Sequence, residues 1–407
     1  MNLREYVPPN HKNPQAFTRE DQSFLGAWWW TVDRSMLFSV FVLMLFGVAM
    51  VATSSPSVAQ TINVADYHFL KKHLIFMLPA TFLIIGLSML SPRYIWRFSS
   101  LLFLGGAVMV VMVLLFGAEV KGARRWISVL GFSIQPSEFL KPAFAVVVAW
   151  LLALQHKSNM HSKKADKSFQ GLKLSFILYG VLIFLMLMQP DLGMSVVLTC
   201  VFAVQIFLAG LRFRYLAALF AFGAAGLGCA YMTFHHVRSR IDRFFYPESG
   251  DNYQVERSLA AIKKGGFIGQ GPGQGVEKAT LPDAHSDFTF SVLVEEMGFF
   301  FAALLIGLFV FILLRGFKRL QETEDVFSML AAGGLLSMFA LQSLIHIGSS
   351  INILPAKGMT LPFISYGGSS LLSIAITMGM VLALTRQKSR VSIAKSSVSI
   401  PHKGRIS

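Results

Sequence analysis

Charged side chains are scarce in this sequence: 14% of its 407 residues are Asp, Glu, Lys or Arg, against about 25% in an ordinary soluble chain. That scarcity, beside 54% hydrophobic residues, excludes both a cytosolic enzyme and a disordered chain. Cysteine is scarcer still. Cys200 and Cys229 lie inside apolar runs at a spacing that fits no zinc motif. This excludes a disulfide scaffold and reads as two small buried hydrophobes. Residues 1–33 are polar and mixed in charge, without the short apolar core of a cleavable leader. What is abundant is Phe (37 residues), Met (19) and long apolar runs.

A membrane span takes roughly 20 mainly apolar residues at 1.5 Å rise each. Ten spans are expected, over residues 36–53, 74–90, 98–117, 139–154, 174–188, 192–211, 215–234, 297–314, 326–347 and 368–385. The fourth and fifth are short, so their ends are expected to run on into the flanking motifs. Trp28, Trp29 and Trp30 precede the first span and suit an aromatic anchor at the membrane interface. The expected fold class is an all-α polytopic integral membrane protein. Its parts are an N-terminal tail 1–35, a ten-helix domain 36–385 and a basic C-terminal tail 386–407, with a large extracytoplasmic loop 235–287 between helices 7 and 8.

Net charge is +15, from 36 Lys+Arg against 21 Asp+Glu, an excess that in a soluble chain would point to nucleic acid. With both termini cytoplasmic, 22 basic and 8 acidic residues fall inside, leaving 14 basic and 13 acidic outside. The excess is then a positive-inside signal facing anionic lipid, and nucleic acid drops out as a partner. Residues 156–173, HKSNMHSKKADKSFQGLK, read as a solvated inside connector.

Outside, four segments are too polar for plain connections. Residues 117–141 read GAEVKGARRWISVLGFSIQPSEFLK, with Arg124 and Arg125 beside Trp126, and Gln135, Ser137 and Glu138 leading into a span. Glu138 and Lys141 share a helix face at i,i+3. They read either as a local ion pair behind a first-turn Pro136 or as a functional pair, because ionisable groups at a span are costly. Trp126 either stacks on a sugar or anchors the interface. Residues 189–193, QPDLG, make a tight connection in which turn chemistry competes with function as the reason for Asp191.

The third segment is YQVERSLAAIKKGGFIGQGPGQGVEKATLPDAHSDFTFSVLVEEMG, starting at Tyr253. Its glycines resemble a phosphate cradle, but no Gly-Lys-Ser/Thr follows and no strand–helix context is apparent. No nucleotide cofactor is expected, and the glycines read as permitting a tight fold over the membrane. Asp287, Glu295 and Glu296 then put three carboxylates at the membrane boundary, which is expensive unless they are paired, solvated or catalytic. The fourth segment, NILPAKGMTLPFISYGGSS over residues 352–370, is broken by Pro and Gly. Irregular backbone at membrane depth is either buried in protein or lines a cavity. Lys357 and Tyr366 are cavity groups if this segment carries chemistry, and part of an inert re-entrant loop if it does not.

These motifs, KGARRWI…QPSEFLK, QPDLG, LPDAHSDF…EE and LPAKGMTLPFISYGGSS, stand in one order from about the second expected span to the tenth. In that order the chain resembles the SEDS family (shape, elongation, division and sporulation) of bacterial cell-wall proteins. The N-terminal polar extension and Lys357 are similar to the division branch, with the elongation branch as the near alternative. The resemblance implies a peptidoglycan glycosyltransferase acting on lipid II, an undecaprenyl-pyrophosphate-linked disaccharide-pentapeptide, at the outer face of the bacterial plasma membrane. It implies a single-span class B penicillin-binding protein of the FtsI type as partner, alongside other divisome proteins at the septum. The family's essential acid maps onto Asp287 and its Glu and Lys onto Glu138 and Lys141. Asp283 and Ser286 depart from the commoner Glu and Thr without touching the acid.

The chemistry such a role needs is a base or a metal ligand for the attacking sugar hydroxyl and cations for a diphosphate leaving group. Asp287 serves the first need, alone or with Mg²⁺ or Mn²⁺. Arg124, Arg125, Lys141, Arg238, Arg243, Lys278 and Lys357 are the outside cations for the second. Gln135, Ser137, Asp191, Gln254, His285, Glu295, Glu296, Ser365 and Tyr366 join Trp126 and Glu138 as candidate substrate contacts. A lipid II flippase and a non-enzymatic division scaffold are the competing readings. The expected spans are nearly devoid of charge and the polar groups lie on one side, which favours surface chemistry.

Overall fold

Each expected span centres on a helix of the computed structural model, which describes residues 23–117, 119, 123–129, 131–161, 170–233, 235–246, 252–355 and 358–387. In chain order the helices are α1 (Phe24–Thr31), α2 (Arg34–Thr61), α3 (His68–Ser88), α4 (Pro92–Phe116), α5 (Pro136–His161), α6 (Gly171–Met188) and α7 (Leu192–Leu208). They continue as α8 (Phe213–Thr233), α9 (His235–Phe245), α10 (Tyr253–Gly265), α11 (Thr289–Gln321), α12 (Val326–Ser350) and α13 (Gly368–Leu384). Eight of them (α2 to α6, α8, α11 and α12) are long and apolar enough to cross a membrane, and α7 and α13 are apolar but 17 residues each. The two spans expected to be short extend as anticipated. α5 starts at Pro136 and takes in Ser137 and Glu138, and α6 reaches back to Gly171.

Aspartates start three of these helices. Asp33, Asp191 and Asp325 accept the backbone N–H of Met36, Met194 and Ser328 at 3.1, 3.1 and 3.0 Å, satisfying first-turn donors that have no intrahelical partner. Turn and cap chemistry therefore accounts for Asp191. Asp33 also ties the start of α2 to the end of α11, accepting from Arg315 Nε at 2.7 Å and Arg319 Nε at 2.6 Å.

The centre of the bundle is α5, α12 and α13. Of the most apolar stretches of α5 and α12, 78% is buried inside the protein, against 7% for α8. Because lipid is as apolar as any core, close backbone approach and polar contacts hold such helices together rather than hydrophobic burial. Gly47 of α2 meets this need by lying against the carbonyl of Phe363 with no room for a Cβ. One expectation is corrected here: Cys229 is exposed, because it lies on the peripheral α8, and Cys200 on α7 is half-buried.

Two departures from the all-α expectation occur. A short antiparallel hairpin, β1 (Ile127–Val129) and β2 (Phe132–Ile134), pairs Ile127 with Ile134 and Val129 with Phe132. It occupies the segment before α5. The second departure is a break in α11 at Gly298, whose φ of 78° and ψ of 175° interrupt the helix. The loop after α10 repairs the break. Gln270 and Gly271 donate their N–H to the carbonyls of Glu295 and Glu296 at 2.9 Å each, while Phe299 and Phe300 donate to Gly266 and Phe267 at 3.0 and 3.2 Å. All four groups are thereby satisfied, as the membrane environment demands.

Candidate active site

The loop from Gly358 to Gly367, between α12 and α13, is where the polar groups meet. Its start lies beside Asp287: a Cβ on Gly358 would stand 3.3 Å from Asp287 Oδ2. Asp287 is held by a turn in which Asp283, at φ 53°, accepts the N–H of Asp287 at 2.9 Å and of Ser286 at 3.0 Å. The carboxylate is half-buried, so it is both supported and reachable. Tyr366 at the other end of the loop donates its N–H to the His285 carbonyl at 2.8 Å. The His285 ring packs on Phe69, at 4.3 Å between centroids, and on Tyr366, at 5.2 Å. Burial pushes this imidazole down from 6.5 to about 4, against a smaller pull from the Asp283 charge. Burial also raises the Tyr366 phenol. Ser365 accepts from the Leu361 N–H and donates to Thr289, both at 2.9 Å. It fixes the loop to the start of α11 and is turned away from solvent.

The same loop reaches the Glu138–Lys141 pair. Lys141, 1% exposed, lies 2.8 Å from Glu138 Oε2 and donates to Gln342 Oε1 of α12 at 3.3 Å. Gln342 in turn donates to the Thr360 carbonyl at 3.2 Å and to Ser370 Oγ at 3.4 Å. Thr360 and Ser370 share a hydrogen bond of 2.5 Å. Gly358 at Asp287 and Thr360 at Gln342 are two residues apart, so the candidate acid and the buried lysine flank one short stretch of backbone. Such a connected polar network in a low-dielectric interior fixes geometry.

A second cluster lies at the start of α5. Arg125 donates to the carbonyls of Gln189, at 2.8 Å, and Pro190, and its guanidinium lies 3.9 Å from Asp191. Gln135 donates to Ser137 Oγ at 3.0 Å and to Asp191 Oδ2 at 3.4 Å, and its N–H reaches Ser369 of α13 at 3.3 Å. Arg125 therefore fastens the segment before α5 to the turn before α7. Beside it Arg124 is exposed and Trp126 is 39% exposed.

Glu295, Glu296 and Lys278 correct the expectation most clearly. Glu295 is buried and accepts the N–H groups of Val276, Glu277 and Lys278 at 2.7, 2.7 and 3.1 Å, an anion seated at the start of the 3₁₀ turn Glu277–Ala279. Lys278 pairs with Glu296 and donates to the carbonyls of Thr53 and Gly273 at 3.0 Å each. All three of its N–H donors are engaged, so Lys278 leaves the set of cations that can meet a ligand. Gly275 belongs to this arrangement, since a Cβ there would stand 2.8 Å from Glu295 Oε2. These charges hold the glycine-rich loop in place.

The remaining candidates are scattered. Arg238 pairs with Asp242 at 3.5 Å on the exposed α9, and Gln254 is exposed on α10. Lys357 and the side chain of Arg243 lie outside the described residues. Among the described residues no group of three or more His, Cys, Asp or Glu could hold a metal ion, so Asp287 stands without a protein-built cage. Sequence reading missed Gln342, Thr360, Ser370 and His346, whose Nδ1 lies 2.6 Å from the Met359 carbonyl. The signal was present in α12, where Gln342 and His346 sit one turn apart on one face of an apolar span.

Apolar helices in this number define a polytopic membrane protein, and the candidate acid and its polar network gather around the loop between α12 and α13. Residues 33–390 match the cell cycle protein family of FtsW, RodA and SpoVE, and the chain belongs to that family. A protein of Caulobacter vibrioides named probable peptidoglycan glycosyltransferase FtsW is 40% identical over 374 residues, covering 92% of this chain and 94% of the relative. One of the same name from Shewanella sediminis is 34% identical, covering 89% and 88%. Among solved structures, a chain of a peptidoglycan synthase complex matches with TM-score 0.69 at 24% identity, over 87% of this chain and 97% of that one. The rod shape determining protein RodA of Thermus thermophilus matches with TM-score 0.62 at 24% identity, over 88% and 97%. These structures share the fold.

Proposed function

We propose that the chain is a peptidoglycan glycosyltransferase that polymerises lipid II at the outer face of the plasma membrane during septal wall synthesis. One observation carries the reading: 40% identity across 92% of the chain to a relative bearing that activity in its name. The geometry supports it, because the half-buried Asp287 sits at a polar loop at one end of the bundle.

The topology proposed is ten crossings with both termini cytoplasmic. Lys157 lies 19 residues along α5 from Glu138, about 28 Å at 1.5 Å per residue. That is close to the roughly 30 Å hydrocarbon thickness. Asp33, Arg315, Arg319 and Lys157 then face the cytoplasm, and Asp287, Arg124 and Tyr366 face outward.

In the reaction, the C4 hydroxyl of one lipid-linked sugar attacks the anomeric carbon of another, and the bond from that carbon to the polyprenyl diphosphate breaks with inversion. The hydroxyl proton passes to Asp287 as general base, and the bonding electron pair leaves with the diphosphate. Arg124, Arg238, Arg243 and Lys357 are the cations proposed to meet the leaving group. Glu138, Lys141 and Gln342 position the loop that carries Gly358. A divalent cation such as Mg²⁺ characteristically takes one or two carboxylates together with substrate phosphates, and Asp287 is the carboxylate that would contribute. Its chemistry would be charge neutralisation at the diphosphate. The partner proposed is a class B penicillin-binding protein of the FtsI type, at the division septum.

The test is purified protein with that partner, incubated with lipid II and assayed for glycan strands. Wild type is expected to make them and Asp287→Ala is expected to make none while melting normally. Polymerisation by Asp287→Ala at the wild-type rate overturns the assignment of the acid. Absence of glycan from both, with scrambling of lipid II in vesicles, replaces the polymerase by a transporter.

A further inference from the structure

At the far end of α5 from Glu138, a cavity of about 640 Å³ opens between the start of α4, the end of α5 and the start of α12. Arg93 and Lys157 line it, both with exposed side chains. So do Trp96 and Trp150, whose rings stack at 4.7 Å and 8°. The Arg97 guanidinium stands 5.7 Å from the Trp96 ring centroid. Ser91 begins α4 without a side-chain cap hydrogen bond, so the positive end of that helix borders the cavity with its cap hydroxyl turned elsewhere. Among the described residues Asp325 is the one acid in the lining. Its Oδ2 is engaged in capping α12, accepting from the Ser328 N–H at 3.0 Å and its hydroxyl at 2.6 Å.

A cavity of this volume is within the range of small-molecule sites, but its walls are those of a membrane interface. Stacked indoles provide an apolar plate at headgroup level, where Trp characteristically sits. Two cations and a helix start provide a phosphate seat above that plate. We propose that the cavity binds the head of an anionic phospholipid, with Arg93 and Lys157 on the phosphate and the Trp96–Trp150 pair against the glycerol and the first acyl carbons. The cations outnumber the single acid, which selects phosphatidylglycerol-like heads over zwitterionic ones. Assignment to the cytoplasmic leaflet rests on the proposed topology, whereas the binding itself does not. The role is separate from polymerisation, since the cavity lies at the Lys157 end of α5 and the network that reaches the candidate acid's loop lies at the Glu138 end.

The test is native mass spectrometry of the full-length protein, stripped of lipid in detergent and titrated with phosphatidylglycerol or phosphatidylethanolamine. Arg93→Ala/Lys157→Ala is expected to bind phosphatidylglycerol about thirtyfold more weakly than wild type. The exposed pair Arg212→Ala/Arg214→Ala, on the same expected side and outside the cavity, is expected to bind it as wild type does. Equal weakening in both double variants means diffuse attraction and overturns the site. Wild type holding phosphatidylethanolamine as tightly as phosphatidylglycerol overturns it too. Melting measured with and without added phosphatidylglycerol provides a second readout: wild type gains stability, and a cavity variant gaining as much refutes the proposal.

Discussion

Gly358 stands against the carboxylate of Asp287, where a Cβ would lie 3.3 Å from Oδ2, and its backbone is at φ 51°. Crowding and handedness both restrict the position to glycine, since a side chain in the left-handed region costs about 1–2 kcal/mol. The loop between α12 and α13 therefore sets the position of the candidate acid directly.

Gly358→Ala is expected to lower the polymerisation rate between about tenfold and a hundredfold, the usual consequence of displacing a reacting group by a fraction of an ångström to an ångström. Melting temperature should change little, because one loop residue is affected. Glycan assay and thermal melting on the same preparation check this, and an unchanged rate would detach Gly358 from the site.

The pair Glu138 and Lys141 makes the opposite prediction. Both side chains are nearly buried, at 7% and 1% exposure, and 2.8 Å apart. Removing either alone leaves an uncompensated charge and is expected to cost about 3–5 kcal/mol. The double substitution Glu138→Leu/Lys141→Met should recover much of that stability without recovering activity, because Gln342 loses the donor that orients it toward Thr360. Melting of the two single variants and the double variant, read as a cycle, checks the coupling. Additive losses would contradict it.

How much of this was legible before any coordinates follows from the range of each interaction. The Glu138–Lys141 pair is three residues apart, so helix spacing alone puts it on one face, and turn chemistry is one of the two readings that the sequence leaves for Asp191. The ten apolar runs were equally readable, because each is a local property of about 20 residues. Gln342, Thr360 and Ser370 were not, since the network joins α5, α12 and a loop that sequence spacing leaves unrelated. The true work of Glu295 and Lys278 was hidden for the same reason: what the three carboxylates after the glycine-rich loop bind is decided by how that loop folds back. Composition showed that these charges needed partners but not which ones.

His285 gives a pH prediction. Its imidazole is held at about 4 by burial, below its ordinary 6.5, and its Nδ1 finds no hydrogen-bond partner among the described residues. Between those two values the unfolded chain binds a proton that the folded one does not. Stability that is present above about 6.5 is therefore lost as pH falls toward 4, by about 3 kcal/mol. His285→Phe keeps a ring against Phe69 and removes the titration. Wild type should lose more melting temperature than this variant on acidification through that window, and parallel curves would show that the folded imidazole takes up its proton as readily as the unfolded one.

The break at Gly298 has a consequence for how the protein enters the membrane. Four backbone groups of α11 on either side of it are completed only by residues 266–271, and an isolated α11 would carry them unsatisfied into hydrocarbon. The upper part of α11 cannot be a self-sufficient inserting unit. Residues 266–271 are translated first, so the loop has already emerged when α11 follows, and the two are expected to settle at the membrane edge as a single cooperative piece. In this chain the connection between two spans is a component of the span that follows it.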